Sequence, residues 1–440
     1  MKHSTRFVTA LAATMVVLLV SAVLMGRTQD TGKTVVTVRL WDAQVAAAYR
    51  SSFAEFTRRH PDIEVRVDVV AYASYFDSLR TDVAGGGADD IFWLSNAYLA
   101  GYADTGRLLD IGKLLGDGAS DAWDASANQQ FTRNGTLWAV PQLTDGGIAV
   151  YYNADLLAAA GIDPADLDTL RWSPDADDTL GPLLARLTLD RHGKHAGAPG
   201  FDARQVRQWG YNAANAMQDI YLNYIGSAGG QFSDGDRFAF DNPGARKAFA
   251  YLVRLINTDH VSPSAADTNG NGDFSRNQFL QGRMALFQSG TYNLAAIADQ
   301  AHFRWGVAML PSGPDGRVSV TNGIAAAANS ATRHPDAVRA VLQWMGSTDG
   351  NTFLGTKGAA VPAVLGAQPV YFDYWQQRGI DVRPFFKVLD GPRLPAPGGA
   401  GFPAGFLAIR PFFDEMFLGR VPVASTLAAA QRAANAAADR

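Results

Sequence analysis

The stretch "LWAVPQLTDGGIAVYYNADLLAAAGI", residues Leu137–Ile162, decides how this chain is organised. It holds two segments with strand character, Leu137–Val140 and Ile148–Tyr152, joined by a proline, several polar residues and two glycines. Such a joint is either an ordinary surface turn or a place where the chain passes from one domain to another. In the second case its polar side chains would lie between the domains, where ligands often bind.

The residues before this stretch alternate between strand and helix patterns. Strands are predicted at Thr34–Trp41, Ile63–Val70 and Ile91–Leu94, and helices at Ala46–Arg59 and Tyr75–Val83. This alternation is typical of a parallel sheet covered by helices. The N-terminal part of the chain is therefore predicted to be an α/β unit.

The residues after the stretch form a second compact unit with longer helices. Helices are predicted at Ala216–Gly230, Pro243–Asn257, His334–Ser347 and Ala424–Ala438, and a strand at Phe303–Pro311. The chain has 440 residues, which is too long for one typical core, so two large domains or about three smaller ones are expected.

Composition narrows the class of protein. Hydrophobic residues make up 47% of the chain, which indicates a well-buried globular protein. The formal net charge is −4 and no long basic run occurs, so nucleic acid is not an expected partner. The chain contains no cysteine, which excludes disulfides, thiolate metal sites and cysteine nucleophiles.

The N-terminus carries a targeting pattern. Basic side chains precede an apolar segment from about Phe7 to Gly26, so residues 1–27 are predicted to be an export signal or an uncleaved membrane anchor. Arg27 stands where exported lipoproteins carry a cysteine, so lipidation is not expected. The mature chain is predicted to work outside the cytoplasmic membrane.

Two predicted strands end in residues suited to binding a ligand. Trp41 and Asp42 follow the first strand, and Ser95 and Asn96 follow the third. Ligands of open parallel sheets bind at the carboxyl ends of the strands, where an aromatic face and polar acceptors would meet. The alternative is that Asp42, Ser95 and Asn96 cap helices and that Trp41 belongs to the core.

Signals for metals and catalysis are weak. Asp267–Gln278 resembles a calcium loop, but its twelfth position is glutamine where a bidentate glutamate is needed, so no metal is predicted. No HExxH, GxSxG or phosphate-binding glycine loop occurs, and no cofactor is expected. A carboxylate pair such as Asp42 and Asp145 could serve a glycosidase, which keeps a carbohydrate-cleaving enzyme as an alternative.

Several segments, in order along the chain, resemble the extracellular solute-binding proteins of carbohydrate ABC importers, whose members bind maltose or glycerol-3-phosphate. They are "VTVRLWDA", "FTRRHPDIEVRVDVV", "ADDIFWLSNAYLAGYADTGRLLDI", "NGTLWAVPQLTDGGIAVYYNADLLAAAGID", "FLQGRMALFQSGTYNL" and "FRWGVAMLPSGP" with the helix that follows it. The resemblance implies a two-lobed α/β periplasmic binding protein fold, each lobe a mostly parallel sheet flanked by helices. "PQLTDGG" would be one hinge crossing and Asn322-Gly323 the second.

The resemblance also implies boundaries and partners. The first lobe would comprise residues 34–145 plus 323–368, and the second residues 146–322 plus 369–440. A loaded, closed protein would dock on the transmembrane permease subunits of an ABC importer without performing chemistry, and we expect it to be a monomer. A sensory ectodomain held by the N-terminal helix is a further alternative.

The ligand would lie between the lobes, with aromatic side chains stacking on sugar rings and carboxylates accepting from hydroxyl groups. The candidate residues are Trp41, Asp42, Ser95, Asn96, Gln142 and Asp145 from the first lobe and its crossing, and Asn223, Tyr224, Gly290, Thr291, Tyr292 and Asn322 from the second lobe and hinge. No lysine or arginine stands directly beside the two aspartates in these segments, which favours neutral or amino-bearing sugars over phosphate ligands. Glycerol-3-phosphate or a glycerophosphodiester is the alternative ligand.

Overall fold

The computed structural model of the protein describes residues 32–144, 146–175 and 177–439. The predicted signal or anchor at 1–27 and the candidate ligand residue Asp145 lie outside the described residues. Within the described ranges, no helix is both long and apolar enough to span a membrane.

The strands are, in chain order, β1 Thr34–Leu40, β2 Ile63–Val69, β3 Ile91–Ser95, β4 Thr132–Arg133, β5 Thr136–Leu137, β6 Ala139–Leu143, β7 Ala149–Asn153, β8 Leu189–Asp190, β9 Val206–Gln208, β10 Ser233–Asp234, β11 Arg237–Phe238, β12 Leu286–Ser289, β13 Trp305–Met309, β14 Ser319–Thr321, β15 Ile324–Ala328 and β16 Arg393–Pro395. The α-helices are α1 Ala43–Arg59, α2 Tyr72–Gly85, α3 Asn96–Ala103, α4 Ile111–Leu115, α5 Ala125–Gln130, α6 Ala154–Ala159, α7 Leu180–Leu187, α8 Leu222–Ser227, α9 Pro243–Asn257, α10 Ala265–Thr268, α11 Phe274–Leu280, α12 Leu294–Gln300, α13 Pro335–Met345, α14 Thr348–Thr356, α15 Gln368–Gln377, α16 Arg383–Lys387, α17 Phe402–Phe417 and α18 Val423–Ala438.

Helix α1 shows how the sequence builds these elements. The carboxylate of Asp42 accepts hydrogen bonds from the backbone N–H groups of Gln44 and Val45, which caps the helix at its start. Tyr49, Phe53 and Phe56 recur at helical spacing and are buried. This face packs on the sheet of the first lobe, and the helix ends before Pro61.

The first lobe is built on a five-stranded sheet in the order β2-β1-β3-β15-β6. Strand β1 pairs in parallel with β2 and β3, whereas β15 pairs antiparallel with both β3 and β6. The second lobe holds a three-stranded sheet in the order β12-β7-β13, and both of its pairings are antiparallel. Each sheet has its own hydrophobic core, and a third apolar cluster covers the opposite face of the second sheet.

The predicted two-lobed α/β fold is confirmed, but the prediction of mostly parallel sheets is wrong: the second-lobe sheet is antiparallel, and only two of the four pairings in the first-lobe sheet are parallel. Strand direction follows from the crossings between the lobes. Strand β6 leads out of the first lobe and β15 leads back into it, so these two neighbours run in opposite directions. In the second lobe, β12 and β13 flank β7 on both sides and run opposite to it.

In the part of the chain that the structure describes, three segments cross between the lobes side by side. The first follows β6, the second lies between β14 and β15, and the third lies between α14 and α15. The N–H of Thr144 in the first crossing donates to the carbonyl of Val361 in the third at 3.1 Å. A Cβ on Gly147 would meet the side chains of Val388, Ser319 and Leu389, so this glycine permits close packing at the crossing.

Candidate functional site

A cavity of about 570 Å³ lies between the two lobes and is lined by both of them. Its first-lobe wall stands at the carboxyl ends of β1 and β3, which supply Trp41, Asp42 and Ser95. Its second-lobe wall comes from the turns before α8 and before α12. The cavity is therefore a cleft whose two faces belong to different lobes, and its volume suits a small organic ligand.

The first-lobe wall is aromatic. The ring of Trp41 contacts Tyr72, Tyr75 and Trp93 edge-on, with centroid distances of 5.7, 4.8 and 5.0 Å. Trp93 and Tyr75 are fully buried, so Trp41 is held against the core of its lobe. Such a fixed group of rings presents a rigid apolar surface to the cleft.

Polar groups interrupt this wall at two helix starts. Both capping hydrogen bonds of Asp42 are accepted by Oδ1, and no described residue bonds to its Oδ2. Burial raises the pKa of Asp42, although the hydrogen bonds from Val45 and Gln44 oppose the shift. Ser95 occupies the cap position of α3 without making a capping hydrogen bond. Asp42 thus caps its helix and lines the cleft at once, while the Ser95 hydroxyl is not used as a cap.

The second-lobe wall carries most of the polar side chains of the cavity, among apolar ones such as Met217, Leu222 and Phe287, and part of it is irregular backbone. Residues Met217–Tyr221 form one turn of π-helix, a feature that frequently occurs at functional sites. Gln218 and Asp219 on this turn line the cavity, and the amide of Gln288 donates to the backbone carbonyl of Asp219 at 2.5 Å. The turn is therefore anchored to β12 through its main chain.

Asp219 gives this wall a negative charge. Burial raises the pKa of the Asp219 carboxyl to about 6, and its own backbone N–H opposes the shift. The pKa of the Tyr72 phenol on the facing wall is also raised, first by its enclosed position in the cleft and second by the negative charge of Asp219, although 62% of the residue's surface is exposed. The two side chains therefore interact electrostatically across the cleft.

The charge of the whole lining is net negative among the described residues. Its carboxylates are Asp42, Asp219 and Asp273, and its one cationic side chain is Arg276. Arg276 pairs with Asp273 at 3.1 Å, so its charge is already compensated. The lining favours neutral or cationic groups over anions.

The structure brings six of the predicted ligand residues together around this cavity. They are Trp41, Asp42, Ser95, Thr291, Tyr292 and Asn322. The amide of Asn322 also donates to Gln218 Oε1 at 3.3 Å, which joins the second crossing to the π-turn.

Five other candidates are not lining residues of the cavity. Gln142 is fully buried and accepts from the Tyr49 hydroxyl at 2.7 Å. Asn223 accepts from the N–H of Val320 at 2.9 Å and so holds the strand before the second crossing. Tyr224 packs in the core of the second lobe. These three side chains are occupied within the protein.

Asn96 and Gly290 support neighbouring parts of the wall. The amide of Asn96 donates to the carbonyl of Ala396 in the other lobe at 3.2 Å. The carbonyl of Gly290 accepts from the Tyr151 hydroxyl at 2.8 Å, and any side chain at 290 would collide with the ring of Tyr292. Their effect on the cleft is therefore indirect.

Sequence reasoning missed several lining residues. On the first lobe these include Tyr72 and Tyr98, which lie in the first turns of α2 and α3 and could have been found by extending the strand-end rule into each following helix. On the second lobe they include Asn215, which precedes the helix predicted at Ala216–Gly230, and Gln218 and Asp219, which lie inside it; the sequence carries no clear signal for any of the three.

The loop that resembles a calcium site belongs to the edge of this cleft. Gly272, Asp273 and Arg276 line the cavity, and the first carboxylate of the loop, Asp267, accepts from the Ser264 hydroxyl. Throughout the described ranges, no group of three or more histidine or acidic side chains is placed to hold a metal ion.

The chain matches a family of bacterial binding proteins in sequence and several solved proteins in structure. Residues 42–352 match the family model described as "Bacterial extracellular solute-binding protein". The crystal structure of UspC from M. tuberculosis is 70% identical, with a TM-score of 0.74, and the match covers 92% of this chain and all of that one. A putative binding protein of Brucella abortus is 22% identical over 301 residues, which are 67% of each chain.

Two more distant structures share the fold. Lmo0181 of Listeria monocytogenes, solved in complex with cycloalternan, is 19% identical with a TM-score of 0.79, covering 92% of this chain and 98% of that one. The GacH receptor of Streptomyces glaucescens, solved unliganded and with acarbose, is 20% identical with a TM-score of 0.75, covering 92% of this chain and 99% of that one.

Proposed function

Because the chain belongs to the bacterial extracellular solute-binding protein family, we propose that it binds a neutral or amino-bearing saccharide between its lobes and delivers it to an ABC-type importer. The observation that carries this proposal is the cleft itself, in which an aromatic wall faces one that bears acidic and other polar side chains. Sugar rings present an apolar face and a rim of hydroxyl groups, so they need both kinds of surface.

Two features of the cleft support a saccharide. The rings around Trp41 offer a rigid apolar surface for stacking. Asp42 Oδ2 and Ser95 offer polar groups on the same wall, and Thr291 offers a hydroxyl from the facing one. Relatives of the same fold, Lmo0181 and GacH, were solved with cycloalternan and acarbose, which supports the same class of ligand here.

The charge of the lining supports amino-bearing sugars in particular. Asp219 has no ion-pair partner among the described residues and keeps a raised pKa. An ammonium group on a sugar would supply the missing positive charge, whereas a phosphate would add a further negative one. Arg276 favours the alternative, a glycerophosphodiester, but its pairing with Asp273 weakens that case.

Delivery would use closure of the two lobes around the ligand. We propose that the moving units are residues 34–145 plus 323–368 and residues 146–322 plus 369–440. A ligand that contacts both lobes favours the closed state by its differential affinity for that state. The closed protein would then dock as a monomer on permease subunits outside the cytoplasm, without catalysis and with or without an N-terminal membrane anchor.

A thermal-shift screen tests the proposal. The protein from about Thr28 onward is heated with glucose, glucosamine, N-acetylglucosamine, their disaccharides and glycerophosphocholine. Ligand at 100 times its Kd should stabilise the protein by about 2.7 kcal/mol, and the largest shift is expected with the free amino sugars. N-acetylglucosamine is the matched control, because it removes the charge and keeps the ring. A response to glycerophosphocholine alone, or release of a cleavage product, would contradict the proposal.

A further inference from the structure

A glycine-rich segment at residues 396–402, "APGGAGF", which we call the strap, joins β16 to α17 and borders the cleft. Ala396, Pro397 and Phe402 line the cavity. The strap belongs to the second lobe, because the N–H of Ala396 donates to the carbonyl of Thr321 at 3.0 Å and Phe402 packs in the second-lobe core.

The strap also contacts the first lobe along helix α3. The amide of Asn96 donates to the carbonyl of Ala396 at 3.2 Å. A Cβ on Gly398 would lie 3.2 Å from the carbonyl oxygen of Asn96, so glycine lets the two backbones approach closely. The ring of Tyr98 meets the ring of Phe402 edge-on at 6.4 Å.

Burial shows that this contact is continuous. Ala97 of α3 is 6% exposed and belongs to the second-lobe core cluster, although its helix is part of the first lobe. Tyr98 packs against both core clusters. No gap separates α3 from the strap at these residues, so the two lobes are in contact there and the cavity ends against them.

We infer that the strap closes one end of the cleft and thereby selects short saccharides. This inference rests on the proposed function and adds the length of the ligand. A saccharide of one or two rings fits a cavity of about 570 Å³ that ends at a wall. A longer chain must extend past its bound rings, and the contact between α3 and the strap blocks that path on one side.

The purified protein is tested by calorimetry with two series of sugars. One series is glucosamine and its β-1,4-linked dimer and tetramer, and the other is glucose and its α-1,4-linked dimer and tetramer. We expect the affinity for the tetramer to be at least tenfold lower than for the dimer in whichever series binds. Equal affinity for dimer and tetramer overturns this inference and leaves the proposed function intact. The absence of binding at every length in both series overturns the proposed function and this inference with it.

A matched pair of variants tests the wall itself. Phe402→Ala removes the ring that meets Tyr98, and Leu407→Ala removes an exposed side chain, 56% accessible, from the same helix. We expect Phe402→Ala to bring the dimer and tetramer affinities within threefold of each other and Leu407→Ala to leave their ratio unchanged. A ratio that is the same in both variants overturns the inference. If Phe402→Ala does not fold, the affinities of the wild-type protein for the dimer and the tetramer decide whether the strap limits ligand length.

Discussion

The two walls of the cleft differ in both chemistry and backbone. The first-lobe wall places aromatic rings at the ends of regular strands and fixes them against buried partners such as Trp93. The second-lobe wall places polar side chains on a π-turn and on the short 3-10 turn Thr291–Asn293. Under the proposed function this difference divides the roles: the first wall would supply a rigid apolar surface for any sugar ring, and the second would distinguish the substituents on it.

Removing the centre of the aromatic wall should have the largest effect. Trp41→Ala is expected to lower the affinity for every saccharide ligand about 100-fold, or ~2.7 kcal/mol, because the apolar surface is common to all of them. Calorimetry with one neutral and one amino sugar measures the loss.

The matched control is Trp344→Ala, which removes a buried tryptophan of the same lobe whose indole N–H donates to the Ser52 hydroxyl at 2.8 Å, away from the cavity. That variant should unfold at a lower temperature than the wild type, but its affinity for the same sugars should stay within threefold of the wild-type value. Unchanged affinity in Trp41→Ala would refute the role of the aromatic wall.

The polar wall should show a smaller and selective effect. Asp219→Asn keeps the shape of the side chain and removes its charge, so we expect at least a tenfold loss for amino sugars and less than threefold for neutral ones. Asp273→Asn is the control, because that carboxylate already pairs with Arg276. An equal loss for charged and neutral sugars would show that Asp219 does not distinguish substituents.

The strand-end part of the first wall could be predicted from the sequence. Strands rich in β-branched residues identified the sheet, and the rule that ligands meet strand ends pointed to Trp41, Asp42 and Ser95. The ordered motifs identified the family, which is confirmed by the match over residues 42–352. These signals are local in the sequence, so they can be recognised without knowing how the chain packs.

The second wall could not be predicted in the same way. The sequence predicts a regular helix at Ala216–Gly230, but a π-turn adds a residue to one turn and changes which side chains face the cavity. Asp219 therefore faces the cleft, whereas Asn223 holds β14 and Tyr224 enters the core. Residue type alone does not separate a ligand contact from a buried structural hydrogen bond, and that choice depends on tertiary packing.

The smallest expected effect is a pH dependence that belongs to the polar wall alone. The pKa of Asp219 is raised to about 6, so its carboxylate is mostly charged at pH 7 and mostly neutral at pH 5.5. Affinity for an amino sugar should fall about fourfold over this range as the charged fraction decreases, because only the ionised site attracts the ammonium group. The raised pKa acts on folding in the opposite sense: the unliganded protein should gain stability as the pH falls through 6 towards the ordinary aspartate value. Calorimetry at both pH values measures the fall in affinity for the amino sugar. The affinity of Asp219→Asn for the amino sugar, and that of the wild-type protein for a neutral sugar, should not depend on pH in this way. A slope that persists in Asp219→Asn would assign the titration to another group and remove the charge distinction between the two walls.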